Sequence, residues 1–405
     1  MEKIKIGIFG LRRGSSFFDE IKVNGGEVVA VCEKDEAQIK EVSENIKGAA
    51  VYSDFDEFIN HPMDAVLLAN FFPEHSEYAI KALEKNIHVL SECISNSTMA
   101  QGVKLCEAWE KSKAIYMLAE NYPYMLFNRE MKKVYEGGTL GKLMYGEGEY
   151  NHPMDWYDTK AVMSIRPYEK HWRNFLPRSY YITHSLAPLM WATGVFPKKV
   201  TAMPVYAPLP EDCPTASHVA DVAAIITILN DDGSVFKVTG CSAFGAHWNS
   251  YRLCCERGQI ENVRGTDKVM LRYNDWQIPE GREAVNFYTP DLKDEDAVQI
   301  KNAGHGGGDF LVIKAFFGSI RSGMPHQFDV YFATALSSVA ILAHRSIMEG
   351  SRPFDVPDFR KEEDRDRFRD DKLSPFWLSD GTPPSYPCCS DPDYLPSEWQ
   401  TENYR

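Results

Sequence analysis

The chain has 405 residues, 44% of them apolar and 25% charged, and its net charge is −14. That length exceeds one ordinary core and predicts two domains of a globular protein. The acidic balance, with no cluster of Lys and Arg, excludes a duplex nucleic-acid partner and disfavours a membrane surface, and no apolar run reads as long enough to span a bilayer.

The N-terminal Met1-Glu-Lys-Ile-Lys-Ile runs straight into a strand and leaves no room for a signal peptide, so the cytoplasm is the expected compartment. The nine cysteines show no C-x-x-C spacing and include the adjacent pairs Cys254-Cys255 and Cys388-Cys389, which fits free thiols in a reduced compartment.

Residues 4–9 predict a buried strand, followed by a tight turn at Gly10-Leu-Arg-Arg-Gly14 and a helix from Ser15 to Val23. Residues 28–32, 65–69, 88–92 and 115–119 are further apolar runs of strand length, separated by helical patterns such as Ser76 to Lys85 and Gln101 to Lys111. Apolar strands alternating with helices predict a parallel sheet covered on both faces, over residues 1–122. Beyond Asn121, residues 143–151, 199–206, 221–230 and 234–241 read as longer strands with partial alternation. Hairpin signals stand at Asn230-Asp-Asp-Gly233 and around Arg257-Gly258, and a helical run covers Asp329 to Glu349. Residues 123–359 are therefore expected to form an α+β domain on a mixed, largely antiparallel sheet. Residues 360–405 read as a tail: a mixed-charge run at Lys361 to Lys372, expected as a solvated helix or linker, then a Pro- and aromatic-rich stretch that packs on the body or a neighbouring subunit.

The first strand, turn and helix carry a nucleotide signature. Gly10 opens the turn, and Glu33 ends the second strand 23 residues on. In a dinucleotide fingerprint the turn brings backbone N–H groups to the pyrophosphate and the acid takes the ribose hydroxyls. A carboxylate at Glu33 repels a 2′-phosphate and favours NAD. The motif departs from the usual spacing: Arg12 and Ser15 fill glycine slots, and Gly14 sits one place early. Arg12 or Arg13 either adds charge for the pyrophosphate or crowds it.

Further segments resemble the Gfo/Idh/MocA oxidoreductase family. Asp64-Ala-Val-Leu-Leu-Ala-Asn-Phe-Phe-Pro-Glu-His75 is similar to its third-strand block. Ala82-Leu83 through Glu92 resembles its Ala-Leu…His-Val-Leu-x-Glu block, and Ala119-Glu-Asn-Tyr122 the end of its Rossmann domain. Residues 349–359 are also family-like. The family's Glu-Lys-Pro is here Glu92-Cys93-Ile94, without the lysine that assists deprotonation of the sugar hydroxyl. Trp172-Arg173, Tyr181-Ile-Thr-His-Ser-Leu-Ala-Pro188 and Gly304-His-Gly-Gly-Gly-Asp-Phe310 resemble the Trp-Arg, Tyr-Pro-Thr-His-Gly-Leu-Gly-Pro and Gly-His-Gly-Gly-Met-Asp motifs of glycoside hydrolase family 109. That branch also lacks the lysine and uses NAD as a recycled cofactor to cleave glycosides. Departures at Ile182, Ser185, Ala187 and Gly308 mean that substrate identity does not transfer.

The resemblance implies an N-terminal Rossmann fold and a cofactor site at Gly10, Arg12, Arg13, Gly14, Glu33, Asn70, His75, Glu92, Asn121 and Trp172. It implies a catalytic pair, His184 and Tyr181, and substrate contacts from His305, Asp309, Tyr150, His152 and Arg173. The chemistry it implies is transient oxidation at C3, which acidifies the C2 hydrogen, then loss of the group at C1, addition of water and re-reduction. That sequence needs bases near the C3 hydroxyl and the C2 hydrogen, and a donor for the leaving oxygen; an imidazole exchanges protons near neutral pH. Tyr181, three residues before His184, shares its face if a helix begins there.

Plainer readings exist for the same residues. His184 also fits a helix-start or core histidine, His305 a turn residue, Tyr150 and His152 a strand end, and Trp156, Trp172 and Trp248 core positions. Cys93 reads as a buried small residue. His152, Asp155, His184 and His305 are possible metal ligands in type, but no helical H-x-x-x-H spacing supports them, so no metal is expected. The sequence reading is thus a cytoplasmic, NAD-dependent glycosidase acting on a small-molecule sugar or glycoside, a homo-oligomer by resemblance. The alternatives are an NAD-dependent sugar or polyol dehydrogenase and a non-catalytic nucleotide-binding protein.

Overall fold

The computed structural model describes residues 2–291, 293 and 295–402, folded as two compact units. The first comprises residues up to Met125 together with 293–334 and 358–371. Its sheet has six strands: β1 Ile4–Phe9, β2 Gly26–Cys32, β3 Ala50–Tyr52, β4 Ala65–Leu68, β5 His88–Ser91 and β6 Tyr116–Leu118. Their order is β3-β2-β1-β4-β5-β6, with every pair parallel. This is the doubly wound Rossmann order, with its switch point between β1 and β4. Val66, Leu67 and Leu68 are consecutive and fully buried. Neighbouring strand residues point to opposite faces, so both faces of the sheet are covered.

Two later segments complete this unit. The Phe328 carbonyl accepts the Leu118 amide (2.9 Å) at the end of β6. Phe317, on the helix Gly308–Ser322, lies 2.7 Å from where a Cβ on Gly26 would stand. The mixed-charge run expected as solvated is instead pinned. Arg365 has a side chain only 7% exposed and donates to both carboxylate oxygens of Glu110, one at 2.9 Å. Arg369 reaches Glu107 and Glu362. Alternating charges read as solvated in one dimension; here two of the partners, Glu107 and Glu110, lie on the distant helix Met99–Lys111.

The second unit comprises 126–291, 335–357 and the residues from Lys372. Its sheet has nine strands: β7 Leu143–Asn151, β8 Pro197–Tyr206, β9 Asp221–Asn230, β10 Val235–Ser242, β11 Trp248–Cys255, β12 Gly258–Asn262, β13 Val269–Tyr273, β14 Val285–Tyr288 and β15 Phe354–Asp355. The order is β14-β13-β12-β11-β7-β10-β9-β8-β15. Only β7 and β10 pair in parallel, so the sheet is mixed and mostly antiparallel, as the sequence predicts. Both expected hairpins form, β9–β10 and β11–β12. A Cβ on Gly148 would stand 2.0 Å from the Ser185 carbonyl. Glycine in β7 therefore lets the helix Thr183–Thr193 lie directly on the strand.

One expectation is corrected by the helix Val330–Met348. At 19 residues it is long and apolar enough, by length and composition, to cross a bilayer. It is 89% buried within the protein, and the core helix of a packed protein has the same composition.

The aromatic tail packs onto the second unit. Phe376 is 1% exposed, with its ring 5.2 Å from that of Tyr180. The Ser390 amide and hydroxyl bind Asp221 at 2.8 and 2.5 Å. Nε2 of buried His344 donates to the Pro387 carbonyl (2.7 Å), and burial pushes the His344 pKa down to about 4. The unfolded chain binds a proton that the folded chain resists, so this stability is complete above about pH 6.5 and is lost as the pH falls towards 4, by at most about 3 kcal/mol. Urea unfolding of wild type and His344→Gln across that window should show a shallower loss in the variant.

Candidate functional site

The first set of site residues stands at the carboxyl ends of β1, β2, β4, β5 and β6, where open parallel sheets bind ligands. Gly10 has φ 88°, and a Cβ there would meet the Ala69 carbonyl oxygen at 2.4 Å. Only glycine fits, and it shortens the expected turn to one residue. A continuous helical run begins at Leu11 rather than Ser15 and reaches Val23, its middle turn being 3-10. Gly14 performs the close packing usually given to a later glycine: a Cβ would lie 2.5 Å from the Ile8 side chain. The Glu33 carboxylate accepts the amides of Leu11 (2.9 Å), Lys34 (2.8 Å) and Asp35 (3.1 Å), which fixes it beside the turn.

The two arginines of the turn differ. Arg12 is exposed and has no ion pair among the described residues. Arg13 is committed: its Nε donates to Glu92 Oε1 (2.8 Å), and Nη2 and Nη1 donate to Asp309 Oδ1 (2.7 Å) and Oδ2 (3.0 Å). Its guanidinium also lies 4.3 Å from the centre of the Phe17 ring. Asp309 further accepts from Asn121 Nδ2 (2.8 Å) and His305 Nδ1 (2.9 Å). These donors hold its carboxyl well below the usual carboxylate range, against the opposing effect of burial.

His75 is 2% exposed, and its ring nitrogens face the carbonyls of Ile94 (2.9 Å) and Asn70 (3.3 Å). It pins the loop after β4 to the loop after β5 through whichever ring nitrogen carries the hydrogen. Burial lowers its pKa and favours the neutral ring. The Oδ1 atoms of Asn70 and Asn121 are buried without a partner. Unsatisfied buried acceptors at a ligand-binding edge, together with the Gly10 cradle, fit a polar cofactor. Cys93, in the lysine position, is 5% exposed, and its thiol donates to the wholly buried Glu120 (3.2 Å).

The second set belongs to the other unit. Tyr150, Tyr181 and His184 form a ring cluster, with centroids 5.8 Å (150–181), 5.0 Å (150–184) and 5.1 Å (181–184) apart. Tyr181 is not helical (φ −96°, ψ 56°), and the helix starts only at Thr183. A turn, not helical spacing, brings Tyr181 to His184. His152 follows Tyr150, at 5.7 Å between centroids, and lies 4.5 Å from His247. Desolvation first, and then the His247 charge, push the His152 pKa down. Arg173 stacks on the buried Trp172 ring at 4.4 Å. Trp172, expected on the cofactor, is thus part of the second unit and not of the Rossmann unit. Among the described residues, no three His, Cys, Asp or Glu side chains converge to hold a metal ion.

His247 and Tyr251 escaped the sequence reading. Pro188 lies inside the helix Thr183–Thr193 and has no N–H to give the His184 carbonyl four residues back. The Tyr251 hydroxyl donates to that carbonyl instead, at 2.5 Å. A proline four residues after a candidate catalytic residue is the signal for an orphaned carbonyl; its partner on β11 has no local signal.

Two outcomes follow from this geometry. Tyr251→Phe should destabilise the protein by about 1–3 kcal/mol, the cost of a buried unpaired carbonyl, read by urea unfolding. Glu33→Ala should weaken NAD binding by about 1–2 kcal/mol, a charged hydrogen bond's worth, and narrow the preference over NADP, read by cofactor titration.

Comparison with known proteins places these features. Residues 4–120 match the family described as "Oxidoreductase family, NAD-binding Rossmann fold". Residues 272–365 match "Glycosyl hydrolase 109, C-terminal domain". The glycosyl hydrolase family 109 protein of Porphyromonas gingivalis is 23% identical, over 89% of this chain and 85% of that protein. The one from Streptomyces niveus is 24% identical, over 89% and 78%. A solved levoglucosan dehydrogenase, in complex with NADH and L-sorbose, is similar with TM-score 0.73 at 16% identity, covering 89% of this chain and 100% of that one. The myo-inositol 2-dehydrogenase from Lactobacillus plantarum gives 0.66 at 16% identity, over 88% and 100%. At these identities the solved structures establish the fold. The chain thus carries an NAD-binding Rossmann domain that matches the oxidoreductase family model, and a later segment that matches the glycosyl hydrolase 109 C-terminal domain.

Proposed function

We propose that this protein is an NAD-dependent glycosidase that cleaves a small glycoside without net oxidation. The observation that carries the reading is at position 93. Where related dehydrogenases resemble one another in a lysine, this chain buries a thiol against Glu120, and its proton-transfer groups are instead the packed rings of Tyr150, Tyr181 and His184. Bound NAD supplies reversible hydride transfer at one sugar carbon.

The chain's own residues do the rest. Gly10 would let a pyrophosphate approach the start of the helical run closely, Arg12 would add charge, and Glu33 would orient the ribose. Asn70 and Asn121 offer their unpaired oxygens to cofactor donors. His184 takes and returns a sugar proton, its backbone fixed by Tyr251. Tyr181 donates to the departing oxygen, and Tyr150, His152 and Arg173 bind sugar hydroxyls. The curated relatives named as family 109 glycosyl hydrolases support the same reading.

The test is a panel of nitrophenyl glycosides with added NAD+, following nitrophenol and reduced nicotinamide together. Nitrophenol should appear without accumulation of NADH, and His184→Ala should lower its rate by about 100-fold or more. NADH formed in proportion to a free sugar, with no nitrophenol, would establish a dehydrogenase instead. Silence in both channels while NAD binds would favour a non-catalytic nucleotide-binding protein.

A further inference from the structure

We propose that the substrate carries an oxyanion on its sugar, a carboxylate or a phosphate, and that Arg173, His152 and His247 receive it. The inference rests on the glycosidase reading and deepens it, because hydroxyl contacts alone do not account for these three side chains. All three belong to the second unit. His152 follows β7, and His247 precedes β11, the strand paired with β7. The two rings lie 4.5 Å apart between centroids, and the His152 ring is 5.7 Å from that of Tyr150 in the ring cluster. Arg173 acts on the same place. Burial raises the pKa of Cys241, the β10 residue paired with Tyr150, and the charges of Arg178, Arg173 and Arg166 oppose that rise.

This corner is basic, with no acid to answer it. The chain holds 58 Asp and Glu against 44 Lys and Arg. Even so, no carboxylate among the described residues forms an ion pair with His152, His247 or Arg173. The charges that act most strongly on His152 are those of His247, Arg173 and His184, all positive, and they add to the larger effect of desolvation in lowering its pKa. The other two arginines are committed elsewhere. Arg178 Nε donates to the Asp221 carbonyl (3.0 Å), and Arg166 Nη1 donates to Asn174 Oδ1 (3.3 Å). Asp221, an acid whose charge reaches Arg178, has its carboxylate held by Ser390.

Arg173 differs. Its guanidinium lies 4.4 Å from the centre of the buried Trp172 ring and donates no hydrogen bond to a described residue. Stacking fixes the plane of a fork of N–H donors, the shape that binds a carboxylate or phosphate through two parallel bonds. A guanidinium and a protonated imidazole have donors only. A sugar hydroxyl both gives and accepts a hydrogen, so these groups answer half of what it offers; an oxyanion only accepts. An anion among the three also offsets the repulsion that His247 and Arg173 exert on His152. A merely solvated patch has no need of a guanidinium stacked on a buried indole.

The test uses the full chain loaded with NAD, so that the cofactor's own phosphates are already in place. Calorimetry compares glucose, glucuronate and glucose 6-phosphate, with the galactose and mannose series alongside. In at least one series an acid should bind about 10-fold or more tightly than its neutral parent, as charged hydrogen bonds allow. Which acid is favoured tells a carboxylate from a phosphate. Arg173→Gln should remove most of that preference, and Arg173→Lys, which keeps the charge but not the fork, should retain part of it. His247→Gln, at an exposed ring, should narrow it by about 3-fold. Urea unfolding identifies the variants that fold. No acid bound more tightly than its neutral parent, or a preference undiminished in the folded variants, overturns the proposal. The readout is binding, so it does not depend on turnover. An acidic sugar bound in this way and oxidised with accumulation of NADH leaves the proposal standing and overturns the glycosidase reading. A neutral nitrophenyl glycoside cleaved without NADH, with no acid preferred, overturns the proposal alone.

Discussion

One guanidinium holds the ligand-binding edge of the first unit together. Arg13 sits in the helical run after β1, yet it binds Glu92 after β5 and Asp309 at the start of a helix almost three hundred residues later. Each partner is partly or wholly buried, so each carries a desolvation cost that only the others offset. Removing one charge leaves the rest uncompensated. The Rossmann unit is therefore not finished by its own consecutive βαβ segments; its nucleotide edge is closed by residues 293–334.

The second unit solves a related problem with neutral groups. Pro188 breaks the hydrogen-bond ladder of the helix that carries His184, and the carbonyl it orphans belongs to His184 itself. Tyr251, buried in β11, satisfies it. The missing amide thus lets a side chain from the sheet grip the backbone of the candidate catalytic residue. Gly148 allows the same helix to press onto β7, and Phe376 in the tail packs against Tyr180, next to Tyr181. Helix, sheet and tail converge on the stretch from Tyr180 to Ser185.

The two arrangements differ in what they offer to chemistry. The Arg13–Asp309 cluster is ionic and saturated, which suits it to fixing the imidazole of His305 and the amide of Asn121. The Tyr150–Tyr181–His184 cluster is made of packed rings that each carry a polar group on an apolar body. At the position where the resemblance expects a lysine, the Cys93 thiol is instead buried against Glu120.

The sequence by itself determined the doubly wound sheet, the mixed sheet and its hairpins, because strand periodicity, apolar runs and turn residues are local signals. It also placed Gly10 and Glu33 just after β1 and β2, a spacing set by one βαβ unit. It named Tyr181, His184, His305 and Asp309 through resemblance but not their partners. Only the tertiary structure decided that Arg13 binds Glu92 and Asp309, that His75 is a pin, and that Arg365 is buried against Glu110 while most of its charged neighbours stay exposed. It alone supplied Tyr251 and His247. The reason is common to all of these: a charge or an orphaned carbonyl is visible in the chain, but the group that satisfies it is chosen by contacts between residues far apart in sequence.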